Sequence, residues 1–162
     1  MNMQTAAHAP SHLVAHESSH EDLGFVRKYV FSTDHKVVGI QYAITALLFL
    51  FFGYGLMALM RWQLAYPGQP IPIIGPLLLS VLGPDMADKG IMSPDLYNSF
   101  GAMHGTIMVF LAIVPLAAGA FGNYLVPLQI GAPDMAFPKL NMMSYWVYFI
   151  GGVVMLASFF IP

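Results

Sequence analysis

The sequence predicts an all-α, polytopic membrane protein whose three spans form a small helical bundle. Two features of composition and one of pattern predict it. Of the 162 residues, 57% are hydrophobic and only 9% charged, with a mean hydropathy of +0.67. A soluble domain carries about 25% charged residues, so this chain cannot present an ordinary solvated surface. Its apolar residues also fall into three charge-free runs, at about 37–60, 97–121 and 142–161. At about 1.5 Å of rise per residue, each run reaches or exceeds the roughly 30 Å of a bilayer's hydrocarbon core.

Composition also excludes several classes. A net charge of −2 with six Lys+Arg leaves no basic footprint, which removes nucleic acid as a partner. The absence of cysteine removes disulfides, thiolate metal sites and a cysteine nucleophile. Residues 1–24 are too polar to contain the apolar core of a secretory signal. They carry His8, His12, His16 and His20 at a spacing of four, which would stack on one face of a helix. With Pro10 and several serines among them, the plainer reading is a flexible, solvated tail on the cytoplasmic side, and these histidines receive no role. The membrane-embedded part is then 25–162.

Arg27, Lys28 and Lys36 precede the first span, and the positive-inside rule therefore places the N-terminus on the cytoplasmic side. Residues 37–60 would cover about 36 Å, enough to cross with some tilt. Arg61 and Trp62 close this run at the far interface. Residues 63–94 hold six prolines and several glycines. Their one apolar piece, IPIIGPLLLSVLG, is short and interrupted by Gly75 and Pro76, which predicts a packed or interfacial loop. Ser93, Pro94 and Asp95 then read as a helix start: an N-cap, a proline at the first helical position and a first-turn carboxylate. The second span runs through 97–121, its apolar pattern continues to about Pro127, and Pro115 predicts a kink. Residues 128–141 form a turn-rich connector with Asp134 and Lys139. The third span, 142–161, is followed at once by Pro162, so the expectation is a piece of a longer protein.

The chemistry centres on His104. It is the one titratable side chain between Ser99 and Phe121 and lies about 14 Å below the helix start, well inside hydrocarbon. An intramembrane imidazole is costly and marks a functional site whose partner must be found. Gly101 and Gly105 beside it permit close helix packing or a flat macrocycle, and Met108 and Leu111 follow one and two turns on. Three readings compete: a neutral histidine hydrogen-bonded to another helix, a proton relay, and a haem iron ligand. The relay lacks a carboxylate in any span, and spacing alone does not separate the other two. A second, polar group gathers at the inner side: Asn123, Asp134 and Asn141, with Tyr42 and His35 joining if the helices bundle. Helix capping and a solvated loop carboxylate explain it plainly, and a proton-collecting mouth explains it more sharply.

The strings FSTDHKVVGIQY, LYNSFGAMHGTIMVF and FGNYLVPLQIGAPDMAFPKLN, followed by SYW, resemble subunit I of the haem-copper terminal oxidases, most closely the cytochrome c oxidase branch. The likeness covers about residues 29–162 and corresponds to the first three of that family's twelve transmembrane helices. By this resemblance His104 matches the axial ligand of low-spin haem a, and Arg61 the arginine at its formyl group. Asp134 matches the carboxylate at the mouth of the D proton pathway, Asn123 and Asn141 the asparagines beyond it, and Tyr42 and His35 polar positions nearby. The resemblance implies electron transfer from cytochrome c through haem a to a haem-copper centre that reduces dioxygen to water while protons are pumped. The oxygen-reducing haem and copper are ligated by later helices, so this segment alone is not expected to be catalytic. Implied partners are the rest of subunit I, the other oxidase subunits, cytochrome c and the lipid bilayer, in a bacterial or mitochondrial inner membrane.

Two positions depart from the pattern. Gln63 stands where many relatives place a glutamate that helps bind calcium or sodium, which puts such a cation in doubt. Leu96 stands where quinol-oxidising relatives can carry a histidine. The competing hypotheses are a quinol-oxidising member of the superfamily, and a non-enzymatic three-helix membrane protein in which His104 makes a structural hydrogen bond.

Overall fold

The computed structural model describes residues 24–83 and 87–160. The tail histidines His8, His12, His16 and His20 lie outside the described residues. The chain divides into two compact units, Met1–Phe31 and Ser32–Pro162. What is described of the first is a single helical turn, Val26–Val30, with wide hydrogen bonding that runs from the Phe31 N–H to the Val26 carbonyl.

The second unit is helical. Among the described residues, three helices are long and apolar enough to cross a membrane: His35–Ala65, Pro94–Ile130 and Pro138–Phe160. The first is longer than its apolar run at both ends. Asp34 caps its start by accepting the Lys36 N–H at 2.8 Å. At the other end Arg61 and Trp62 lie inside the helix rather than closing it, because Trp62 packs against the core around Ile71 and Met92 and carries the helix on to Ala65. The second span begins as its sequence signals: Ser93 accepts the Leu96 N–H at 3.1 Å and Pro94 takes the first helical position. It ends at Gly131, whose φ of 70° is the left-handed conformation that terminates a helix readily only at glycine.

The stretch expected to be a loop contains a nine-residue helix, Ile74–Leu82. Gly75 and Pro76 fall in its first turn, where a missing N–H costs nothing, so they start the helix instead of breaking it. A two-stranded antiparallel ribbon follows, pairing Ala87 with Met92 and Asp88 with Ile91. Lys89 and Gly90, both at positive φ, make its turn. The Ile71 N–H bonds to the Gly90 carbonyl at 3.0 Å and ties the ribbon back to the loop.

Small residues set how closely the first two spans approach. Gly39, Ala46 and Gly53 are spaced by seven and all buried. A Cβ added at Gly39 would sit 3.2 Å from the Ala120 carbonyl, and one at Gly53 2.9 Å from the Met108 sulfur. From the other side, a Cβ at Gly119 would sit 2.5 Å from the Tyr42 ring. The third span docks through Gly152, which receives the Phe49 ring. Outside this seam Leu48, Phe51, Phe110 and Val147 are exposed, as the surface of a membrane-embedded bundle permits.

Pro115 does not simply kink the second span. Residues Ile107–Ile113 and Pro115–Phe121 are wound wide, with N–H groups reaching five residues back, as from Val114 to Val109. Proline has no N–H for the carbonyl of Leu111, four residues before it. The hydroxyl of Tyr148, on the third span, donates to that carbonyl at 2.7 Å. In hydrocarbon no water would replace it. Tyr148→Phe is therefore expected to cost about 1–2 kcal/mol of thermal stability in the native background. It should cost close to nothing once Pro115→Ala restores an N–H. Equal costs in the two backgrounds, measured by a double-mutant cycle in detergent, would refute this pairing.

Candidate functional site

The close approach that Gly53 allows brings His104 of the second span against the first. Its Nδ1 lies 2.9 Å from the Gly53 carbonyl oxygen. A carbonyl only accepts, so Nδ1 carries a proton, which leaves Nε2 as the nitrogen whose lone pair a metal could take. The imidazole is half-buried, and Nε2 has no hydrogen-bond partner among the described residues. Space beside Gly105 is open, with nothing within 4 Å of an added Cβ. A histidine with one nitrogen fixed by a backbone carbonyl and the other open is the donor arrangement that iron ligation requires. The same bond is also the interhelical contact of a structural histidine, so the geometry accommodates both readings of this residue.

Arg61 is exposed on the first span, eight residues beyond Gly53 and so about 12 Å further along the axis. With Tyr54, Met57, Ala58, Trp62 and Ala65 it lines an open depression of 590 Å³. No hydrogen bond joins Arg61 to His104 among the described residues. Next to it, the buried Trp62 Nε1 has no acceptor. Gln63 accepts the Met92 N–H at 3.4 Å, so its amide is turned toward the ribbon. Leu96 is 1% exposed and packs in the core.

At the opposite end the structure joins residues far apart in sequence. Asp134 accepts from Nδ1 of His35 at 3.2 Å, with Asp34 a further 3.7 Å neighbour of the same nitrogen. His35 is 3% exposed while Asp134 is 45% exposed, so the pair links solvent to the interior. The Nε2 of His35 is buried without a partner among the described residues. The Asp134 carboxylate also accepts the Met135 N–H at 2.7 Å, which fixes it in its turn. Ser144 donates its only proton to the Asn141 carbonyl at 2.7 Å, so the 2.9 Å bond between Tyr42 and Ser144 has the tyrosine as donor. Asn123 does not join this chain of hydroxyls. Its amide donates to the Gly119 carbonyl of its own helix at 2.6 Å, while Nδ2 of Asn141 is buried with no partner among the described residues.

Sequence reasoning left Ser144, Thr45 and Tyr145 without a role. Thr45 and the Tyr145 hydroxyl meet at 3.0 Å, next to the bond between Tyr42 and Ser144. The three-residue spacing of Asn141 and Ser144, which puts both on one helical face, was the available signal.

Helical spans, an intramembrane histidine with one open nitrogen, and a carboxylate–imidazole pair at a loop mouth define a polytopic membrane protein with one site in the bundle and another at its loop end. The chain belongs to the cytochrome c and quinol oxidase polypeptide I family, whose description matches residues 37–161. It is 48% identical over 132 residues to cytochrome c oxidase subunit 1 of Thermostichus vulcanus, which covers 81% of this chain and 20% of that protein. It is 42% identical over 133 residues to the Synechocystis subunit of the same name, covering 82% and 20%, and 34% identical over 154 residues to that of Cereibacter sphaeroides, covering 91% and 27%. The chain thus spans about a fifth to a quarter of the length of the curated relatives it matches.

Proposed function

We propose that this chain forms the first three spans of subunit I of a proton-pumping cytochrome c oxidase. In this reading it lies in a bacterial or mitochondrial inner membrane, with its N-terminus on the cytoplasmic side. The observation that carries the reading is the bond from His104 Nδ1 to Gly53, which engages one ring nitrogen and leaves Nε2 open to ligate a metal. His104 would hold one side of low-spin haem a, and Arg61 would place a positive charge and donors at its formyl group. When bound, that haem supplies one-electron transfer; the oxygen-reducing haem and copper belong to later helices. The residues of this chain would hold and bias the group: Gly53 would fix the orientation of the imidazole through Nδ1, and the Arg61 cation would favour the more electron-rich state beside it. Asp134 would collect protons at the aqueous mouth and His35 would receive them at a buried position. Tyr42, Asn123 and Asn141 would line the way inward, holding ordered water.

The named relatives are cytochrome c oxidases. The buried apolar Leu96, where a quinol-oxidising relative can carry histidine, supports the same donor. Oxygen consumption by the complete complex, assayed with reduced cytochrome c and separately with a quinol, tests this directly. We expect turnover with cytochrome c alone. Turnover with quinol alone would move the chain to the quinol branch. Purification free of haem, from a host able to make haem a, would instead favour a structural role for His104.

A further inference from the structure

The short segment before the first span has a composition that neither site uses. Within 25–31, Phe25 and Tyr29 stand four residues apart with their rings 5.0 Å from one another, and Val26 and Val30 form the adjoining pair. Phe25, Val26, Tyr29 and Phe31 are 73%, 57%, 45% and 51% exposed, a dense apolar surface for seven residues. Arg27 and Lys28 interleave with these apolar residues, the Lys28 ammonium lying over the Tyr29 ring at 5.3 Å from its centroid. Aromatic residues with adjoining cations are the pattern of a helix lying in a membrane interface.

Covalent reach strengthens this. Only residues 32–34 separate Phe31 from the first residue of the first span. Four backbone steps cover at most about 14 Å. Covalent reach alone therefore keeps Phe31 within about 14 Å of the start of that span, close enough for the segment to reach lipid headgroups.

We infer that residues 25–31 are an interfacial anchor selective for anionic phospholipid: Phe25, Val26 and Tyr29 enter the headgroup–acyl boundary, and Arg27 and Lys28 hold lipid phosphates. Each cation near such a surface contributes about fivefold to the preference for an anionic lipid.

The chain has no cysteine, so Val26→Cys supplies a unique thiol for a fluorescent label. The labelled complete subunit, with any cysteine outside these 162 residues replaced by serine, is placed in nanodiscs containing 5-doxyl phosphatidylglycerol or, at the same mole fraction, 5-doxyl phosphatidylcholine. The expected result is quenching by both lipids, with phosphatidylglycerol enriched around the label by about fivefold or more. Arg27→Gln with Lys28→Gln should abolish the enrichment while leaving quenching in place, and molar salt should do the same by shortening the Debye length to about 3 Å. No quenching by either lipid would overturn the anchor. Equal quenching by both in the native sequence would overturn its selectivity for anionic lipid.

Discussion

Replacing His104 with alanine in the complete subunit is expected to abolish the low-spin haem a band of the reduced optical spectrum. The second span offers no other imidazole, and the thioether of Met108, one turn on, packs against Gly53. Loss of the imidazole also leaves the Gly53 carbonyl without its 2.9 Å donor. Restoring that donor alone would not restore the band, which separates ligation from packing. His104→Gln supplies an amide that can reach the carbonyl but no imidazole nitrogen, and it should fold yet still lack the band. His104→Met substitutes a thioether and should give a displaced band at reduced occupancy. The fold should survive, since one lost interhelical hydrogen bond costs about 1–2 kcal/mol. An unchanged band in the alanine variant would remove His104 as the ligand.

The parts of this molecule legible in its sequence are those set by local chemistry. Three charge-free runs gave three spans, because apolar length decides what crosses a bilayer. Ser93-Pro94 announced a helix start, because an N-cap is a one-turn interaction. His104 stood out because a titratable group in such a run is costly. The helix at Ile74–Leu82 was missed because glycine and proline were read as breakers, when their meaning depends on which turn of the helix they occupy. The contacts that define the two sites were not legible in spacing, since they join residues far apart in sequence. Gly53 and His104 are 51 residues apart, His35 and Asp134 are 99 apart, and Tyr148 and Leu111 are 37 apart. The seven-residue spacing of Gly39, Ala46 and Gly53 was present in the sequence and marks the seam that produces the first of these contacts.

Asp134→Asn is expected to leave haem content normal, slow turnover by about tenfold and eliminate proton pumping. Asparagine is nearly isosteric, and its carbonyl oxygen can still accept the Met135 N–H that fixes the turn and still face Nδ1 of His35. The substitution therefore removes charge while keeping the shape of the connector. A carboxylate that is 45% exposed at one end and bonded to a 3% exposed imidazole at the other would, in the proposed role, concentrate protons where they can be passed inward. Focusing by such a charge raises capture rates by roughly 10- to 1,000-fold. Its loss should thus appear in proton uptake before it appears in anything that depends on the haem. Stopped-flow uptake with a pH dye, alongside the reduced spectrum, separates the two. His35→Phe supplies the complementary measurement, since it preserves the Asp134 charge but ends the contact that leads inward. If Asp134 acts with His35, the two variants should slow uptake to similar extents, and the double variant should add little to either. Uptake at the native rate in Asp134→Asn would assign the carboxylate to the connector's turn alone.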